Sequence, residues 1–412
     1  MMNKVMAIIL LIPILLTLGL PIERTKASTS TLDLFSESVL LVDAKTGDVL
    51  FEKDSERVMY PASITKIVTA LLAIEEGNLE DIVTVSKNAR DQEGSRVYLL
   101  EGEQLSLHKL VKGLLINSGN DAGTAIAEHM NGSEKEFAKR MTSFVENKIG
   151  TKDTTFKNPH GLYNPDHVTT ARDMAKIAKY AMENELFREI VGTKEIEWIG
   201  EGWETTLYNH HRLLWDYEGT TGVKNGFVPE SGHTLITSAK RDDTELIAVT
   251  LKAASKYYSY QDTIKLLDYG FENFKVVDLK KGKMVKDASG KEYILAENIS
   301  ISTKHEEEMS FMVNEDMQLV IRAGDREFIK ENALVNRKIS EMKPLTIIED
   351  EKIASTSVDS SEPKNSSLNS VVIFLGIIFC LLILSLIQRR WSKKRKQQRI
   401  IKSLTYSKKN NM

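Results

Sequence analysis

The stretch Pro61-Ala62-Ser63-Ile64-Thr65-Lys66-Ile67-Val68-Thr69-Ala70-Leu71-Leu72 decides the reading of this chain. Ile64, Ile67, Val68, Leu71 and Leu72 recur at the i, i+3, i+4, i+7 and i+8 positions of one buried helix face. Pro61 and Ser63 stand where that helix begins, because both residue types are tolerated or favoured in a first turn. Residues three apart on a helix share a face, so the Lys66 amine can reach the Ser63 hydroxyl. The positive helix end favours an alkoxide on Ser63 and disfavours an ammonium on Lys66, and both effects activate the serine as a nucleophile. The spacing alone is not diagnostic, since Ser106/Lys109, Ser340/Lys343 and Ser361/Lys364 repeat it. Ser361 falls in a Ser-rich segment, and Ser340 has no helical pattern around it. Ser106 starts a helix but has no partner motif at a useful distance beyond it.

Two further pieces lie downstream. Ser118-Gly119-Asn120 follows the apolar face of Leu107, Leu110, Val111, Leu114 and Leu115, and precedes a small-residue helix. Gly119 lets the loop turn tightly, so it either presents a hydroxyl and an amide to a cleft or simply caps a helix. Lys224-Asn225-Gly226 sits in a strand-like run from Gly222 to Phe227. A strand lining a cleft offers backbone N–H groups to a peptide, and Gly226 permits close approach. The same residues also fit an Asn-Gly hairpin turn.

Around these pieces, residues 34–274 mix both periodicities. Ser38–Val42 and Asp48–Glu52 flank Ala-Lys-Thr-Gly and read as a hairpin; Thr234–Ala239 and Glu245–Leu251 read as two strands across a charged turn. Strands at both ends with helices between them predict an α+β fold, an antiparallel sheet covered by helices. Residues 275–350 carry short alternating runs such as Glu292-Tyr-Ile-Leu and Gln318-Leu-Val-Ile-Arg, and read as a small β-rich domain.

The 412 residues are 42% hydrophobic and 27% charged, which suits about two or three globular domains rather than a disordered chain. The net charge of −3 hides ten Lys and Arg and no acid in residues 388–412, leaving −13 for the rest, which argues against a nucleic-acid-binding ectodomain. The single cysteine, Cys380, lies in an apolar run, so the folded part has no disulfide or thiolate metal site, and the histidines show no metal-ligand spacing. No metal or cofactor is expected.

Lys4 followed by the apolar Val5–Leu20 and by Thr25-Lys26-Ala27 has the layout of a secretory signal peptide, residues 1–27. Residues 351–370 form a Ser-rich stalk. The 17 residues 371–387 are almost wholly apolar and span about 25 Å as a helix, near the lower limit for the single transmembrane helix expected here. The basic tail 388–412 marks the cytoplasmic side, so the bulk of the chain is expected outside the cell membrane.

Together, Ser63-x-x-Lys66, Ser118-x-Asn120 and Lys224-Asn225-Gly226 in this order resemble the signature of the serine penicillin-recognising enzymes. Within that group the chain resembles the D-alanyl-D-alanine carboxypeptidases of the low-molecular-mass penicillin-binding type, over about residues 34–350. Phe156-Lys-Asn-Pro-His-Gly161 and Thr169-Thr-Ala-Arg-Asp-Met-Ala175 strengthen the likeness. The resemblance implies a β-lactamase/transpeptidase-like catalytic domain over residues 28–274. It implies attack by Ser63 on the penultimate D-Ala carbonyl of a peptidoglycan stem peptide, with Lys66 as base. Backbone N–H groups of Ser63 and Phe227 would form the oxyanion hole, Ser118 would relay a proton to the departing D-Ala, Asn120 would hold the peptide, and Lys224 would supply positive charge. β-Lactams would acylate Ser63. The family has Thr where this chain has Asn225, which puts rate and substrate choice in question. A cross-link endopeptidase, or a weakly catalytic wall- or β-lactam-binding protein, is the alternative. A β-lactamase is disfavoured, because no E-x-x-x-N element follows Ser118.

Overall fold

A computed structural model describes residues 32–286 and 289–336. It begins with strands β1 (Ser38–Asp43) and β2 (Val49–Lys53), paired antiparallel with Val39 opposite Lys53. Their turn is built locally: the Asp43 carboxylate accepts from the Lys45 and Thr46 amides at 3.0 and 2.8 Å, and Gly47 takes φ +76°. The second strand starts one residue later than the sequence pattern suggests, because Asp48 turns away to accept from the Ser302 amide at 2.8 Å.

A 3-10 turn, Ala62–Thr65, runs into α1 (Lys66–Glu76). Ile64, Ile67, Val68, Leu71 and Leu72 are all fully buried. Burying such a side chain is worth about 1.5–3 kcal/mol, whereas a β-branched residue costs at most about 0.7 kcal/mol in a helix, so burial outweighs the local preference of Ile67, Val68 and Thr69. Helices α2 (Leu107–Ile116), α3 (Asn120–Asn131), α4 (Glu134–Phe144), α5 (Ala171–Met182) and α6 (Glu185–Gly192) follow. Strands β3 (Thr220–Val228), β4 (Gly232–Arg241) and β5 (Thr244–Ala253) then complete a five-stranded antiparallel sheet in the order β2-β1-β5-β4-β3. Helix α7 (Lys256–Asn273) follows.

The two-residue period of the strands divides the interior. Leu40, Val42, Ile247 and Val249 join the core shared with α1 to α6, while Val39, Leu41, Leu246 and Ala248 join a second core with Leu266 and Leu267 of α7. The sheet is therefore covered on both faces, the α+β arrangement expected. Strand β3 is an edge strand and carries Lys224-Asn225-Gly226 within a continuous ladder with β4, which excludes the hairpin-turn reading of those residues.

From Phe274 onward the chain is β-structured. Phe274–Leu279 pairs with Ile299–Lys304, and two three-stranded sheets follow around a core of Leu279, Leu295, Ile301, Leu319 and Ile321. Lys45 reaches Asp278 at 2.7 Å, and Thr46 lies 3.0 Å from the Ser302 hydroxyl, so the β1–β2 turn docks onto this module. Among the described residues no helix is long and apolar enough to cross a membrane. The expected signal peptide (1–27), the end of the β-rich domain (337–350), the stalk (351–370), the transmembrane helix (371–387) and the basic tail (388–412) lie outside the described residues.

Candidate active site

Three elements meet at Ser63: the 3-10 turn with α1, the start of α3, and the edge strand β3. Ser63 is half-buried, and Lys66 and Lys224 are almost completely buried. Lys66 Nζ lies 3.0 Å from Ser63 Oγ, 2.7 Å from Asn120 Oδ1 and 2.8 Å from the His160 carbonyl. Asn120 Oδ1 and the His160 carbonyl can only accept. A neutral amine has two N–H groups, which those two oxygens occupy, so its lone pair is left facing the Ser63 hydroxyl. Burial, reinforced by the nearby Lys224 charge and opposed by Asp121, holds Lys66 well below the ordinary lysine range. Geometry and electrostatics thus agree on a neutral Lys66 poised to accept a proton.

Lys224 Nζ donates to Ser118 Oγ at 3.1 Å and to the Asn225 carbonyl at 3.1 Å. Burial lowers its pKa to about 7. Asn120 is fixed from both ends, its amide N donating to the Ser95 carbonyl at 2.7 Å and its Nδ2 to the Glu93 carbonyl at 2.5 Å. One cleft thus brings together Ser63, Lys66, Ser118, Asn120 and Lys224.

The backbone around the serines is strained. Ala62 and Ser118 adopt φ of +51° and +61°, at a cost of about 1–3 kcal/mol each that surrounding contacts must hold. Thr234 Oγ1 donates to the Pro61 carbonyl at 2.9 Å, and two glycines press close. A Cβ at Gly226 would lie 2.7 Å from the Ser63 amide N, and one at Gly161 would collide with the Ala62 carbonyl. Gly226 therefore brings β3 against Ser63, with Phe227 the next residue along and its side chain exposed.

Asn225 stands apart. The alternation of β3 directs Lys224 and Gly226 toward the helices and Asn225 toward α7, where it lines a cavity with Lys256, Ser259 and Tyr260. Its Oδ1 is buried without a hydrogen-bond partner among the described residues. The competing pair Ser106/Lys109 is structural: Ser106 caps α2 by accepting from the Lys109 amide N at 3.2 Å, and the Lys109 side chain turns to the Ile199 carbonyl.

Sequence reasoning gave no role to several residues that shape the site. The His160 carbonyl anchors Lys66, and the His160 ring is held between the Leu162 amide N (3.3 Å) and the Glu134 carboxylate (3.3 Å). Asp121 accepts from the amides of Val97, Leu99 and Ala122, which ties the 93–99 loop to α3. His210 lies within the field of Lys224, Lys256 and Lys66, and burial with those charges lowers its pKa to about 4. Asn158-Pro-His-Gly161 and Asn117-Ser-Gly-Asn-Asp-Ala-Gly123 are visible signals for His160 and Asp121; only the fold reveals His210.

The comparisons with known proteins point the same way. The family model described as D-alanyl-D-alanine carboxypeptidase matches residues 24–255. The D-alanyl-D-alanine carboxypeptidase DacF of Bacillus subtilis is 36% identical over 297 residues, covering 68% of this chain and 76% of that one. DacD of Escherichia coli is 32% identical over 308 residues, covering 71% and 77%. Among solved structures, the D-alanyl-D-alanine carboxypeptidase DacD of Francisella tularensis superposes with a TM-score of 0.65 at 25% identity, covering 74% of this chain and 95% of that one. Penicillin binding protein 5 of Haemophilus influenzae gives 0.64 at 25% identity, covering 74% and 96%. With a matched segment that contains Ser63, Lys66, Ser118, Asn120 and Lys224, the chain belongs to the D-alanyl-D-alanine carboxypeptidase family of serine peptidases.

Proposed function

We propose that this protein removes the terminal D-Ala from peptidoglycan stem peptides through an acyl-enzyme on Ser63. The observation that carries the reading is the Lys66 amine, its two hydrogens committed to Asn120 and His160 and its lone pair left for the Ser63 hydroxyl. In the first half-reaction Ser63 Oγ bonds to the penultimate D-Ala carbonyl carbon as its proton passes to Lys66. The Ser63 and Phe227 amides stabilise the oxyanion; one such donor is worth about 10²–10³ in rate. The C–N bond then breaks, and Ser118, hydrogen-bonded to Lys224, delivers a proton to the departing amine. Water finally cleaves the ester and returns the proton to Ser63. Asn120 and β3 hold the substrate backbone. β-Lactams enter the same first step and stall as esters.

The apolar segments at 1–27 and 371–387, with the basic residues after the second, support an exported enzyme held to the cell membrane by its C-terminal helix, its catalytic domain facing the wall. The test of the chemistry is Ser63→Ala. It abolishes labelling by a fluorescent penicillin and release of D-Ala from a D-Ala-D-Ala peptide, and it leaves the thermal unfolding curve nearly unchanged. Normal labelling of Ser63→Ala would show that another residue is the nucleophile.

A further inference from the structure

The two hydrogens of the neutral Lys66 amine decide where its lone pair points, and one of them rests on the His160 carbonyl at 2.8 Å. That carbonyl belongs to the His160–Gly161 peptide, which is also held from its other side: the Gly161 amide donates to Asn158 Oδ1 at 2.7 Å. Asn158 closes the turn further, accepting from the His160 amide at 3.3 Å and donating through Nδ2 to the Leu162 carbonyl at 2.9 Å. Thr69, on α1 beyond Lys66, ties the turn to that helix by donating to the Pro159 carbonyl at 2.5 Å.

The buried His160 ring gives the turn a second anchor. Its Nδ1 accepts from the Leu162 amide, so the proton of the neutral ring sits on Nε2. Nε2 faces Glu134 Oε1 at 3.3 Å and has no closer partner among the described residues. Glu134 opens α4, and the same oxygen accepts from the Thr124 hydroxyl on α3. Burial works against the Glu134 charge, but the contacts from His160 and Thr124 outweigh it and hold its pKa below the ordinary Glu value. Burial lowers the pKa of His160, against the pull of Glu134 and aided by the field of Lys66. At neutral pH an uncharged imidazole therefore meets an ionised carboxylate. Such a mostly buried carboxylate, with no Lys or Arg partner among the described residues, is costly to stability, and it stands one residue removed from the base.

We infer that Asn158 and Glu134 are positioning residues of the Ser63 reaction. Asn158 acts through the peptide and Glu134 through the ring. Together they fix the His160 carbonyl, so that Lys66 keeps one hydrogen there, the other on Asn120 and its lone pair on Ser63. The inference rests on the acyl-enzyme function proposed above, with Lys66 as base. The charged and titratable groups around Lys66 are Lys224 on β3, Asp121 on α3, His210 and His160; those around His160 are Glu134, Lys66 and His167.

The test is the pH profile of the acylation rate constant at saturating penicillin, for the wild type, Asn158→Ala, Glu134→Ala and Glu134→Gln, each with its melting curve. Gln keeps an oxygen for both donors and drops the charge. Both Ala variants lose about tenfold or more on the alkaline plateau, because the base is misdirected. Their rising limb stays at or below its wild-type pH, since an ammonium loses more than an amine when an acceptor withdraws. Glu134→Gln stays within about threefold of the wild type. A purely structural role lowers the melting temperature and leaves the profile of the folded enzyme unchanged, and that result overturns the inference. So does Glu134→Gln as slow as Glu134→Ala, or a limb moved to higher pH with an intact plateau. Where an Ala variant does not fold, Thr124→Val, which removes only the hydroxyl, decides: a plateau lowered about threefold or more supports the inference, and a wild-type plateau overturns it. A wild type that penicillin does not acylate strikes instead at the acyl-enzyme reading itself.

Discussion

Lys66 has no ion-pair partner among the described residues and is fully buried, and both facts favour its neutral form against the more distant Asp121 charge. An ordinary lysine titrates near about 10.4, so a base of that kind is almost wholly protonated at neutral pH. Here the depressed pKa means the competent fraction grows as pH rises and saturates well below that value. Acylation by a penicillin rises with pH through an apparent pKa far under 10.4; a rate constant flat from about pH 5 to 10 would remove Lys66 from the role of base. Asn225 poses the second residue-scale question. The resemblance implies that a Thr hydroxyl at that position would donate to a terminal carboxylate, whereas the longer Asn side chain points toward α7 and leaves an oxygen without a donor among the described residues. A donor to a charged acceptor is worth about 1.5–3 kcal/mol, roughly ten- to a hundredfold in rate if it acts in the transition state. Asn225→Thr therefore raises kcat/KM on a D-Ala-D-Ala peptide and changes penicillin acylation less. An equal or lower peptide rate would show that Asn225 does not limit that substrate. Ser63, Lys66, Ser118, Asn120 and Lys224 were legible as a set because each motif keeps its chemistry within a few residues. His160 was legible only as part of the Phe156–Gly161 likeness and not by its role, because the group that matters is a backbone carbonyl, which any residue possesses.

At the level of elements, the amphipathic faces of α1 and α2 were readable because burial of Leu, Ile and Val dominates their energetics. The 3-10 turn ahead of α1 was hidden, since it depends on glycines 161 and 226 approaching Ala62 and Ser63 from other parts of the chain. Helix α7 shows how one polar residue joins distant segments. Asp262, fully buried, accepts from the Phe35 amide at 3.1 Å, the Ser36 amide at 2.6 Å and the Ser36 hydroxyl at 2.6 Å, which pins the segment leading into β1. Asp262→Ala leaves two backbone donors unmatched at about 1–3 kcal/mol each, and lowers the melting temperature accordingly. Because Asp262 faces away from Ser63, penicillin labelling of the folded fraction persists. A melting curve identical to wild type would mean that the contact is energetically idle.

On the scale of the whole molecule, the β-rich module meets the catalytic domain at the β1–β2 turn and at the end of α7, while the active site lies at the opposite edge of the sheet, on β3. A chain ending before Val371 is accordingly expected to be soluble, active and released from cells. In the full-length protein, protease added outside cells stripped of their wall spares a tag at Met412; digestion of that tag would reverse the proposed topology. The sequence by itself determined the α+β class, the order of the three motifs and the family, because hydrophobic period and short-range spacing survive in one dimension. Only the tertiary structure decided that Lys66 is dry and that Asn225 faces α7 rather than the Lys224 side of β3. Those properties arise where segments far apart in the chain exclude water from one another, and no local pattern encodes that exclusion.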